Sequence, residues 1–67
     1  MMLKRIKELR KAAGLSQEQL AARAGLTHVT VGNAENGNRV TITTATKLAK
    51  ALGVPLASIL DEEVTNG

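Results

Sequence analysis

The sequence predicts an all-α fold of five short helices in one compact domain. Three observations lead there. Apolar residues recur at three- to four-residue spacing through most of the 67 residues. Helix-stopping glycines and helix-opening hydroxyl residues punctuate that pattern at short intervals. The chain contains no Cys, Phe, Tyr or Trp, so its core must come from Leu, Ile, Val, Ala and Met. Such a palette favours interlocking helices over a ligand pocket walled by rings. A domain of this size buries only about 60% of the surface its unfolded chain exposes, which leaves a thin stability margin.

Leu3, Ile6, Leu9 and Ala13 line one face of a first helix, with Lys and Arg between them, and Gly14 suits its end. Ser16 opens a second helix. Gln19 stands three positions on, so Ser16-x-x-Gln19 has the form of a capping box. Leu20, Ala21 and Ala24 supply the buried stripe, and Gly25 closes the helix. Leu26 is an apolar residue in the turn, after which Thr27 caps a third helix that ends near Asn36-Gly37. Thr27, Val31 and Ala34 are its inward residues. Residues 38–41 form a short loop carrying Arg39. A fourth helix then runs to about Leu52, with Ile42, Ala45, Leu48, Ala49 and Leu52 inside and Gly53 at its end. Pro55 suits the first turn of a fifth helix whose apolar side is Leu56, Ile59 and Leu60. The domain is expected to span residues 1–62, with residues 63–67 a frayed tail.

Charge narrows the function classes. The net charge is +3, but Asp61, Glu62 and Glu63 hold half of the carboxylates. Residues 1–60 carry nine cations against three anions, a net +6 that suits a polyanionic partner. No apolar run approaches the roughly 20 residues of a membrane helix. The opening MMLKRIKELRK lacks the continuous apolar stretch of a signal peptide. A cytoplasmic protein with no membrane partner is the resulting expectation. One His and no Cys leave no metal site to complete, and no cofactor is expected. The carboxylate cluster lies in the tail, where it cannot hold a catalytic geometry, so an enzyme is not expected.

The third helix carries the functional signal. His28, Val29, Gly32, Asn33 and Asn36 share its outer face, at positions where a solvated helix ordinarily shows Lys, Glu or Arg. Amides, an imidazole, a small apolar group and bare backbone suit close approach to a major groove. There Asn can pair bidentately with adenine, His can meet base edges, and a small apolar group can meet a thymine methyl. Gln17 and Thr27 stand at the starts of the second and third helices, where backbone N–H groups and the positive helix end favour phosphate oxygens. Arg39 in the following loop suits a narrow minor groove.

The stretch LSQEQLAARAGLTHVTVGNAENG, residues 15–37, resembles the DNA-binding core of the phage repressor/Cro-like helix-turn-helix family. The likeness extends to IKELRKAAG before it and KLAKALGVPL after it. It implies a lambda-repressor-like domain of five helices, with the second and third forming the helix-turn-helix. By position, Gln17 resembles the glutamine that binds phosphate and braces the recognition helix. His28, Val29 and Asn33 fall on base-touching positions, and Asn36 on one that meets the backbone. The resemblance also implies a structural ion pair between Arg10 and Glu35. The chain departs from the family at Ala34, commonly a larger apolar residue, and at Thr46, often Leu. The family also often has a Pro and one more residue in the loop before the fourth helix.

The expected function is thus sequence-specific binding of double-stranded DNA by a small transcriptional regulator. A homodimer on a pseudo-palindromic site is expected, with Leu56 and Ile59 as candidates for its seam. The competing expectation is a protein-interaction module of the same fold, an antitoxin or accessory partner that docks through its C-terminal helix.

Overall fold

Three of the four helices begin on a hydroxyl, and that local chemistry sets the architecture. The fold is known from a computed structural model that describes residues 1–61, so the expected domain end at residue 62 and the tail at 63–67 lie outside the described residues. Among the described residues the α-helices are α1 (Ile6–Ala12), α2 (Gln17–Ala24), α3 (His28–Glu35) and α4 (Ile42–Leu52). Ser16 Oγ accepts from the Gln19 N–H at 3.0 Å, and Gln19 Oε1 accepts from the Ser16 N–H at 2.8 Å, completing the capping box of α2. Thr27 and Thr41 cap α3 and α4 by accepting from the N–H groups of Thr30 and Thr44. Each cap satisfies an N–H group that the helix itself cannot.

The turn between α2 and α3 depends on Gly25. Its φ of 72° lies in the left-handed region, which places the Leu26 N–H 2.8 Å from the Ala21 carbonyl. The Gly25 N–H closes on the Ala22 carbonyl at 3.4 Å. This double closure stops α2 sharply and turns the chain directly into the Thr27 cap.

The core is small-grained. Leu3, Ile6, Leu20, Val31, Leu48 and Ile59 are buried together with Ala21, Ala24, Ala34, Ala45 and Ala49. Five alanines among eleven buried apolar residues let α2 lie close to both α3 and α4, its most extensive neighbours. Ala34 belongs to this seam. A larger side chain there would wedge the helices apart.

Several expectations are corrected. The predicted fifth helix is a single 3₁₀ turn, Leu56–Ser58, so among the described residues there are four α-helices and no fifth one. After Pro55 too few residues remain to repay helix nucleation, because Leu60 has already turned extended to pair with Leu3. Leu3 accordingly lies outside α1. Residues 1–4 are held on both sides: Lys4 N–H donates to the Ile59 carbonyl at 2.8 Å, Asp61 N–H to Met2 at 3.0 Å, and Val40 N–H to Met1 at 2.7 Å. Arg5, with φ of 66°, makes the bend from this extended segment into α1. Ile59 is wholly buried and has no surface to give a dimer seam; Leu56 is half-buried. Ala13 and Ile42 are exposed rather than inward, Ile42 because it sits at the first position of α4. Thr27 is exposed too, its hydroxyl spent on the cap.

Gly25→Ala should lose about 1–2 kcal/mol, the cost of forcing a Cβ into the left-handed region. Urea unfolding measures it. An unchanged midpoint would show that the turn does not need this backbone conformation.

Candidate nucleic-acid interface

The surface of α3 is organised from its two ends. At its C-terminal end Glu35 is fixed from three directions. Arg10 Nε, from α1, donates to Glu35 Oε2 at 2.6 Å, and Arg10 Nη2 donates to Oε1 at 3.3 Å. Gln17 Nε2, from the first turn of α2, donates to Oε1 at 3.0 Å. Arg10 Nη1 also donates to the Leu15 carbonyl at 2.9 Å. The ion pair is nearly shut off from solvent, with side-chain exposures of 10% for Arg10 and 5% for Glu35.

These contacts set the ionisation of both partners. Burial pushes the Glu35 carboxyl up, but hydrogen bonds from Arg10 and Gln17, with the charges of Arg10 and Lys7, outweigh it and hold the carboxyl below its ordinary range. The hydrogen bond to Glu35 raises Arg10 further, against the opposing effect of burial.

At the N-terminal end the Thr27 hydroxyl accepts from Thr30 N–H at 3.2 Å and lies 3.1 Å from the Thr30 hydroxyl. His28, Val29, Asn33 and Asn36 are all exposed. Val29, 58% exposed, places its methyls on the outer face. Glu35 is the one charged side chain within α3, and Arg10 neutralises it. The outer face therefore offers hydrogen bonds and methyl groups and carries no Lys, Arg, Asp or Glu.

Gly32 is placed differently from the expectation. It is half-buried against α2, and a Cβ added there would lie 3.9 Å from Gln17 Nε2. A methyl group at this position would meet Gln17 at ordinary contact distance, so an alanine fits beside the Gln17 amide.

Two features were invisible in the sequence pattern. Asn38 folds back on α3: its N–H donates to the Asn33 carbonyl at 3.1 Å, and its Nδ2 lies 3.4 Å from Asn33 Oδ1. The loop carrying exposed Arg39 is pinned by Met1, whose ammonium donates to the Val40 carbonyl at 3.0 Å. Periodicity cannot report contacts 39 residues apart. Asn36-Gly37 did announce the end of α3, but not the contact of Asn38 with Asn33.

With this geometry in place, comparison with known proteins is informative. Residues 6–59 match the family described as Helix-turn-helix. Among solved structures, the restriction-modification controller protein C.AhdI from Aeromonas hydrophila is similar, with 45% identity and a TM-score of 0.75. The match covers 81% of this chain and 83% of that one. No curated protein matches.

The Gln17 amide, set between Glu35 and Gly32, leads to three predictions. Glu35 is held below the value of about 4.5 at which it titrates when unfolded. Its contribution is therefore complete above that value and is lost as pH falls through the lower folded one. Unfolding free energy measured by urea should fall below pH 4.5, and an Arg10→Met/Glu35→Leu protein should lack that component. Glu35→Leu alone should lose about 3–5 kcal/mol in the same urea measurement, because Arg10 is left buried without an opposite charge. Gly32→Ala, by contrast, should gain up to about 1 kcal/mol from helix propensity. A lower melting temperature for that variant would mean that the Gln17 contact cannot yield to a methyl group.

Proposed function

Because the chain belongs to the helix-turn-helix family, in its phage repressor/Cro-like branch, we propose that its α3 enters the major groove of an operator and reads it. The protein is a DNA-binding regulator of transcription. What carries the proposed reading mode is the outer face of α3, which is polar, short-chained and free of Lys, Arg, Asp and Glu. Such a face has little affinity of its own for phosphate and gains most from complementary base edges.

In this arrangement Asn33 pairs with a base, His28 meets a second base edge, and Val29 packs on a thymine methyl. Gln17, Thr27 and Asn36 hold phosphate oxygens on either side. Gln17 has one amide proton committed to Glu35, leaving its second for phosphate. Thr27 contributes through the start of α3, since its hydroxyl serves the cap. Gly32 lies behind this face, beside the Gln17 amide. Arg39 reaches toward the flanking minor groove.

A homodimer is part of the proposal. An eight-residue helix is about 12 Å long, which spans only about four base pairs at roughly 3.4 Å each. Two copies with recognition helices about 34 Å apart would double the reading on a pseudo-palindromic site. Leu56 remains the candidate for the seam. The protein would act in the cytoplasm, wherever its operator lies. Its likeness to a restriction-modification controller makes genes of that kind the first targets to test.

Selection of bound duplexes from random DNA should return a palindrome. Asn33→Ala should then lose about 1–3 kcal/mol at one base position of each half-site, whereas Gln17→Ala should weaken all sequences alike and lower the salt dependence. Recovery of no preferred site, or an even loss for Asn33→Ala, would overturn base reading by α3.

A further inference from the structure

Away from the α3 face, the last turns of α2 and α4 enclose a depression of about 260 Å³ lined by Arg23, Ala24, Lys47, Lys50 and Ala51. Three of these five residues are cations, and all three are exposed. Among the described residues none of them makes an ion pair; the ion pairs are Arg5 with Glu8 and Arg10 with Glu35. Helix electrostatics explains part of this. Arg23 and Lys50 lie in the last turns of their helices, where a cation meets the negative end of the macrodipole. It does not explain Lys47, which precedes that turn and stands three residues from Lys50, a like-charge neighbour on the same helix side. The fold thus gathers positive charge beyond what its helices neutralise.

We infer that this depression is a binding site for a compact polyphosphate anion. Size and chemistry select the class. The volume falls below the roughly 300–1,000 Å³ of pockets that take drug-sized ligands. The chain has no aromatic residue on which a nucleobase could stack, and the pocket's apolar lining is alanine methyl. Recognition is left to charge and to the guanidinium fork of Arg23, whose donors match phosphate oxygens in pairs while the two lysines act as point charges. Operator phosphate is the competing occupant, and it would place the response at Gln17, Thr27 and α3 instead. A bound anion would tie α2 to α4 and relieve their repulsion, so occupancy would stiffen the helix that braces α3.

Pyrophosphate is the probe, followed by thermal unfolding and by amide and side-chain NMR shifts, with sodium chloride at matched ionic strength and citrate as comparisons. At ten times its dissociation constant pyrophosphate should raise the melting temperature by about 6–11 °C beyond chloride, and should shift signals of Arg23, Lys47 and Lys50. Arg23→Gln/Lys47→Gln should fold, whatever small change the loss of Arg23 from the end of α2 makes to its own melting temperature, and should lose the pyrophosphate-specific rise. A response equal to that of chloride, or an undiminished response in the double variant, overturns the inference. So does an equal response to citrate, which would show that phosphate is not selected. Shifts confined to Gln17, Thr27 and α3 would place the anion on the DNA-facing surface and overturn it as well.

Discussion

The buried contact of Arg10, Glu35 and Gln17 is the constraint on which the rest of the structure depends. It joins α1, the start of α2 and the end of α3 through one carboxylate. A buried ion pair is a poor source of net stability, because desolvating both charges costs nearly what their attraction returns. Its effect is geometric. Glu35 can satisfy its oxygens only if α3 ends beneath Gln17 and beside Arg10. Any rotation of α3 about its axis would strand a charge away from water. The pair therefore fixes which residues α3 turns outward.

The alanine-rich core makes that constraint enforceable. Leu or Phe at Ala21, Ala24 or Ala34 would hold the helices farther apart, and Gln17 would no longer reach Glu35. Close approach also explains the absence of aromatic rings, which the seam between α2, α3 and α4 has no room to take. Ala34, which the sequence presents as an undersized core position, is fully buried beside Glu35, the residue that Gln17 reaches. Packing density and the polar network are one requirement seen twice.

The parts legible in the sequence were those governed by local chemistry. Ser16 with Gln19, Thr27 and Gly25 each form their hydrogen bonds within five residues, so their spacing declares the boundaries of α2 and the start of α3. What escaped were pairings between distant segments. Leu3 fits a helical period and yet is extended, because Leu60 and Ile59 offer it backbone partners that no window of sequence contains. The same pairing withdraws Leu60 from the expected fifth helix and buries Ile59. Gly32 adds a contact that its period does not show: a Cβ there would lie 3.9 Å from Gln17 Nε2, an atom supplied by α2.

A division of labour in the interface follows from these placements. Lys and Arg are absent from α3, whose single carboxylate, Glu35, is paired with Arg10, while the nine Lys and Arg residues of the chain lie on other elements and loops. Long-range attraction to a duplex can then be supplied by the domain as a whole, which brings the protein to any sequence at similar cost. In the proposed reading mode, discrimination is left to a face that binds weakly unless its amides and methyls meet the right edges. Were α3 itself rich in Lys, phosphate attraction would hold it equally well over a wrong site, and the contrast between sites would shrink. The weak helix-forming residues of α3 fit this logic. Val29, Gly32 and Asn33 cost helix propensity, and the domain tolerates them because caps and the Glu35 clamp hold both ends. The intervening turns are left short and bare enough to be read against a base edge.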